Sequence, residues 1–162
     1  MKQLLLVRHA KSSWDSPTFK DFDRPLNDRG LHDAPMMAER LIQQKINIDA
    51  FITSTALRAI TTAASFLKCY KAPQSQLIGK PELYHAQPEI FYDIISTLND
   101  DWKTVAIFAH NPGITDMVNS LNVARVLDMP TCAVFGVSAD TKHWMDFEKK
   151  EKRFLLFDYP KG

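Results

Sequence analysis

Two cysteines, Cys69 and Cys132, are all the thiol chemistry this 162-residue chain contains. They stand far apart and in no metal-ligand spacing, so no disulfide framework or zinc cluster organises the sequence, and each reads as a small buried hydrophobe. Net charge is equally scarce. Twenty Lys and Arg against 19 Asp and Glu leave +1, which argues against a nucleic-acid or membrane surface that works by bulk charge. No apolar run approaches the roughly 20 residues of a membrane-spanning helix. The N-terminus offers one lysine and a very short apolar run, which does not read as a signal peptide. No repeat, low-complexity tract or linker suggests a second domain. The expectation is one cytoplasmic domain over residues 1–162, whose 45% hydrophobic and 24% charged residues suffice for a proper core.

What the sequence does have begins at Leu4-Leu5-Leu6-Val7. Four apolar residues in a row are too few for an amphipathic helix and suit a strand buried on both faces of a parallel sheet. Ligands in such sheets bind beyond the strands' carboxyl ends, where Arg8 and His9 stand. Taken alone, the pair could equally end a surface strand. A polar loop over 11–25 follows, with Trp14, Phe19 and Phe22 as apolar anchors for an ordered flap. Asn27 and Asp28 can cap a helix running to about residue 44. Its spacing puts Leu31, Ala34, Met37, Ala38, Leu41 and Ile42 in the core, with Pro35 predicting a kink or a later start.

Residues 49–53 read as a second strand, and Ser54-Thr55 as the cap of a helix over 56–68. That helix carries Arg58 in its first turn, where the backbone is already positive and favours anions. Either Arg58 is an exposed surface residue, or it and the helix N–H groups share one anion. A short strand over 76–79 and a helix over 88–98 come next. Residues 104–109 form the clearest buried strand, ending in His110, then a tight turn at 111–113 and a helix over 114–121. Two last strands are expected at 132–137 and 154–159, with a solvated turn or strand edge at 148–153.

Three strand ends thus supply Arg8 with His9, Arg58, and His110, and a parallel sheet can gather them along one edge. Two guanidiniums match the oxygens of a phosphoryl group. One histidine can attack phosphorus if its nitrogen is unprotonated, which neighbouring cations favour. The other can stabilise the transferring oxygens. The expected roles are His9 as nucleophile and a protonated His110 as part of the phosphate clamp.

The segments LLLVRHAKSSW, DFDRPLNDRG, TSTALRAITTA, PELYHA and IFAHNPGIT, in that order, resemble the histidine phosphatase superfamily and, more narrowly, its SixA-like phosphohistidine phosphatase branch. The resemblance implies an α/β fold, a three-layer αβα sandwich with a mostly parallel central sheet of the phosphoglycerate mutase-like kind. It implies that His9 carries the phosphoryl group as phosphohistidine, and that Arg8, Arg58 and His110 form the phosphate pocket. Arg24, in DRPLN, matches a frequent motif of the branch and is a candidate substrate-binding residue. No metal or cofactor is implied. The partner would be a phosphorylated protein, such as a histidine-containing phosphotransfer domain, or a small phosphate ester.

Two departures matter. Ala10 stands where the commonest signature has Gly. The carboxylic acid that protonates the leaving group in many members is not at its usual place two residues after a leucine, where this chain has His85 after Leu83; Glu82 is adjacent but offset. Glu82 and His85 are therefore the candidate acids. An alkoxide needs a proton as it leaves, whereas an imidazole is far less basic, so a site lacking that acid suits P–N bonds. Rival readings are a broad phosphomonoesterase on the same site and a non-catalytic phospho-ligand binder. A metal hydrolase using His9, His110 and Asp15, Asp21 or Asp23 is opposed by the two arginines, which would repel a cation.

Overall fold

Leu4 to Val7 are fully buried, and the two-residue period of a strand sends Leu4 and Leu6 to one face, Leu5 and Val7 to the other. They belong to β1 (Lys2–Arg8), near the centre of a six-stranded sheet. The computed structural model describes residues 1–14 and 19–161. The other strands are β2 (Ala50–Thr53), β3 (Leu77–Gly79), β4 (Thr104–Ala109), β5 (Val134–Ala139) and β6 (Lys152–Asp158), in the order β3-β2-β4-β1-β5-β6. Neighbours from β3 to β1 are parallel. β5 runs antiparallel to both β1 and β6, so β5 is the strand that opposes the others.

Among the described residues four α-helices complete the sandwich: α1 (Asp28–Gln43), α2 (Leu57–Cys69), α3 (Pro88–Ser96) and α4 (Gly113–Ser120). α1 and α2 cover one face, packing Met37, Leu41 and Phe66 in one cluster with Leu5, Val7, Phe51 and Phe108. α3, α4 and the 3-10 helix Trp144–Lys149 cover the other, where Phe91, Ile95, Met117 and Trp144 meet Leu4, Leu6, Ile52 and Ile107. These are the three layers expected, around a mostly parallel sheet.

The elements fall within a residue or two of their expected places, with informative exceptions. α1 starts at Asp28, capped by the Asn27 side chain on the Gly30 N–H, and continues through Pro35. Leu31 is 55% exposed and Ile42 only half-buried, so the apolar stripe is narrower than its spacing predicted. α2 has Ala56 at its cap without a side-chain bond, and the Ser54 hydroxyl instead accepts the Ala56 N–H. Trp14, Phe19 and Phe22 are exposed rather than sunk into the core, although Phe22 meets Tyr84 edge-on and Trp14 lies against Arg24. Polar contacts also hold the flap: a Ser12–Leu26 bridge, the Ser13 N–H on the Pro25 carbonyl, and the 3-10 turn Asp21–Asp23. β5 begins two residues late because Cys132, at φ 62°, turns its N–H toward the Arg8 and His9 carbonyls. Cys132 is buried and Cys69 half-buried, both free. The turn expected at 148–153 is divided between the Trp144 helix and the start of β6; Glu148 to Glu151 are exposed.

Candidate active site

β1 and β4 lie side by side with Arg8 opposite Ala109, so the residues that follow, His9 and His110, emerge together. Their ring centroids are 5.2 Å apart. Beyond this edge the chain from β1 joins the layer of α1, while the chain from β4 joins the opposite layer with α4. Neighbouring strands that send their connections to opposite faces leave a crevice between them, the usual ligand position in such sheets. β2, on the far side of β4, leads into α2 and presents Arg58 from its first turn.

His9 is 6% exposed. Its Nδ1 lies 2.7 Å from the Ala10 carbonyl, which can only accept, so the proton sits on Nδ1 and Nε2 keeps its lone pair. Arg58 Nε approaches that Nε2 at 3.4 Å. Burial, the largest effect, lowers the His9 pKa to about 3; the hydrogen bond to the Ala10 carbonyl opposes it, and repulsion from His110, Arg58 and Arg8 adds to it. His9 is neutral at physiological pH. His110, with Nε2 2.8 Å from Ser54 Oγ, is likewise lowered to about 3 by burial and then by Arg58 and His85. The protonated His110 expected in the clamp contrasts with the free pocket, where burial among cations favours the neutral ring.

Arg8 donates Nη1 to the Met129 carbonyl at 2.8 Å. Its Nε and His110 Nδ1 are the buried side-chain polar atoms without a hydrogen-bond partner among the described residues. Burial pulls the Arg8 pKa down, Asp128 opposes this, and Arg58 adds to it. Arg58 gives Nη1 to the Asp21 carbonyl at 2.6 Å and Nη2 to the Asp21 carboxylate at 3.0 Å. Arg24 reaches the same carboxylate from Nε at 3.2 Å and gives Nη1 to Ser12 Oγ at 2.6 Å. The indole of Trp14 lies 3.5 Å from the Arg24 guanidinium carbon. Burial opposes ionisation of Asp21, but the Tyr84 hydroxyl, Arg58 and Arg24 outweigh it and hold the carboxyl at about 2.

These groups surround a cavity of about 460 Å³, lined by Arg8, His9, Lys11, Ser12, Trp14, Asp21, Arg24, Arg58, His85, His110, Asn111 and Thr131. Arg8, His9, Arg24, Arg58 and His110 are therefore together. His85 reaches the wall from an exposed position at φ 60°. Glu82 does not: it is exposed in the 3-10 turn Pro81–Leu83, outside the cavity lining. Asp23 is also outside it, and Asp15 lies outside the described residues. Asp21 bonds arginines, and no cluster of three or more His, Cys, Asp or Glu placed to hold a metal ion occurs among the described residues. Sequence reasoning missed Tyr84, whose hydroxyl donates to Asp21 and whose ring meets His110 edge-on at 5.5 Å. It took Ser54 for a cap, although its hydroxyl also sits on His110.

Residues 4–83 match the histidine phosphatase superfamily (branch 1) model. An uncharacterized chloroplastic protein of Arabidopsis thaliana is 28% identical over 158 residues, covering 88% of this chain and 69% of that protein. The structure of the protein histidine phosphatase SixA complexed with tungstate is similar with a TM-score of 0.82 and 25% identity, over 98% of this chain and 97% of that one. A mycobacterial glucosyl-3-phosphoglycerate phosphatase shares the fold at a TM-score of 0.69 and 14% identity, over 96% of this chain and 98% of its own. With the Arg8-His9 pair, Arg58 and His110 meeting at one sheet edge, the chain belongs to the histidine phosphatase superfamily and stands with its SixA-like branch.

Proposed function

We propose that the chain is a phosphohistidine phosphatase that works through phosphorylated His9. The uncharged His9 Nε2 attacks phosphorus, and the phosphoryl oxygens lie against Arg8, Arg58 and the His110 N–H. The bond to the leaving group breaks as the bond to Nε2 forms, and water then releases phosphate from His9. No step calls on a metal, because the guanidiniums neutralise the oxygens. Chelators are expected to leave activity unchanged, and loss in EDTA restored by zinc or manganese would contradict this. Arg24 belongs to the binding wall.

The observation that carries the substrate class is the state of the cavity's acids. Among the described residues Asp21 is the carboxyl group lining it, and its three donors keep it ionised. An alkoxide would leave without a carboxylic acid to protonate it, whereas imidazole, with a conjugate-acid pKa of about 6.5, departs far more easily. The favoured substrate is therefore phosphohistidine carried on a protein, a phosphotransfer domain being the natural donor, in the cytoplasm. No helix among the described residues is long and apolar enough to cross a membrane.

A second reading rests on His85, a titratable ring at the cavity wall that could protonate an oxygen leaving group and make the enzyme a broad phosphomonoesterase. Rates on a phosphohistidine protein, an aryl phosphate and a sugar phosphate separate the two. Phosphohistidine and aryl phosphate are expected to turn over well and the sugar phosphate poorly, with His85→Ala nearly neutral. Efficient sugar phosphate hydrolysis that disappears in His85→Ala would replace the first reading by the second. Absence of turnover on all three would make the domain a phospho-ligand binder.

A further inference from the structure

The Asp21 carboxylate lines the cavity, yet the phosphoryl transfer above gives it no task. Arg58 from α2, Arg24 from the flap itself and Tyr84 from the turn before α3 all donate to it, and His110 at the end of β4 is near enough to feel its charge. Three donors fix its position, but its side chain is still 41% exposed, so a ligand can reach it. The guanidinium that gives Nη2 to Asp21 also holds Nε 3.4 Å from His9 Nε2. Nucleophile and carboxylate thus flank one planar group. In-line attack places the leaving atom on the side of phosphorus away from His9, and Asp21 is a carboxylate of the same cavity within reach of a ligand.

We propose that Asp21 selects P–N substrates by accepting the N–H of the leaving imidazole's second nitrogen and holding that ring in its protonated form. This rests on the phosphohistidine reading. In the step, the phosphorus bond to the substrate nitrogen breaks and its electron pair stays on that nitrogen. A bond from His9 Nε2 to phosphorus forms, and the ring, already protonated on its other nitrogen, departs as neutral imidazole. The carboxylate supplies no proton, consistent with a carboxyl that Tyr84 and the two arginines keep ionised against the cost of burial. An anion beside a ring raises the ring's pKa. Oxygen leaving groups carry no such cation and gain nothing from it.

The test uses phosphoimidazole and 4-nitrophenyl phosphate at a pH above the free ring's ordinary value of about 6.5. In Asp21→Asn, the ratio of kcat/KM for phosphoimidazole to that for nitrophenyl phosphate is expected to fall about tenfold or more, the effect of losing an opposite charge that shifts a pKa by about one unit or more. Tyr84→Phe leaves the carboxylate charged and is expected to keep the wild-type ratio. Equal slowing of both substrates by Asp21→Asn would mean that Asp21 only positions Arg58 and Arg24, and would overturn the proposal. A ratio lost equally in Tyr84→Phe would do the same. A wild type that cleaves nitrophenyl phosphate but not phosphoimidazole would instead remove the phosphohistidine reading, and this proposal with it.

Discussion

At the scale of single residues, the proposed reaction depends on keeping a histidine uncharged among cations. His9 has its Nδ1 proton committed to the Ala10 carbonyl, so its reactive nitrogen faces Arg58 as a lone pair. His9→Ala is expected to abolish turnover with the fold intact, because the side chain stands at the sheet edge beyond β1. Rapid quench of the wild type should show acid-labile, base-stable phosphate on His9; label on His110, or activity surviving in His9→Ala, would refute the assignment. Arg58→Ala is expected to lower kcat by roughly 10²–10³, the scale for one preorganised transition-state donor. Arg58→Lys should recover part of this, since an ammonium lacks the planar fork that spans His9 and Asp21. Equal rates in Arg58→Ala and wild type would reduce the arginine to a structural role.

At the scale of elements, two glycines let helix starts approach the site. A Cβ on Gly113, the first residue of α4, would lie 1.8 Å from the Ala86 carbonyl oxygen. One on Gly30 in α1 would lie 2.2 Å from the Lys11 carbonyl oxygen. Gly113→Ala must push apart the segments bearing His110 and His85. It is expected to cost about 1–3 kcal/mol by overpacking and to slow catalysis, read from urea midpoints and kcat together; an unchanged midpoint would show that the Ala86 loop yields freely. The elements themselves were largely legible in the sequence. Runs such as Leu4–Val7 and Thr104–Ala109 are buried on both faces and announce themselves by composition alone. The 3-10 helix around Trp144 and Phe147 has too few residues to show a period, and the exposed aromatics of the flap have no local mark distinguishing them from anchors. The four phosphate-pocket candidates could be named because each ends or follows a strand or opens a helix. The bonds from Asp21 to Arg58 and Tyr84 span 37 and 63 residues, and no spacing rule anticipates them.

At the scale of the whole molecule, two neutral buried histidines make stability depend on pH. Their folded pKa values near 3 lie below the ordinary 6.5, so between these values the unfolded chain takes up protons that the native chain refuses. Stability is therefore full above about pH 6.5 and is lost as pH falls toward 3. Asp21, lowered from 3.8 to about 2, acts in the same direction over a lower window. Urea midpoints across this range should fall with acidification, and less steeply in His9→Ala. A midpoint indifferent to pH would mean that the histidines become protonated in the native state at their ordinary pKa.

The way the nucleophile's backbone is tied into the sheet bears on which parts of the site can open. The His9 N–H donates to the Ala109 carbonyl at 3.1 Å, and the Cys132 N–H reaches back to the carbonyls of both Arg8 and His9. Across the cavity, among the described residues, the amides of Asp23 and Arg24 donate to the Lys20 and Asp21 carbonyls around the 3-10 turn Asp21–Asp23, none of whose own residues is buried. In deuterated water the His9 and Cys132 amides should exchange only through global unfolding, while those of Asp23 and Arg24 exchange through local opening. The proposed phosphoryl acceptor is then fixed to the most protected part of the molecule, whereas the wall carrying Asp21 moves only by releasing its bonds to Arg58 and Tyr84.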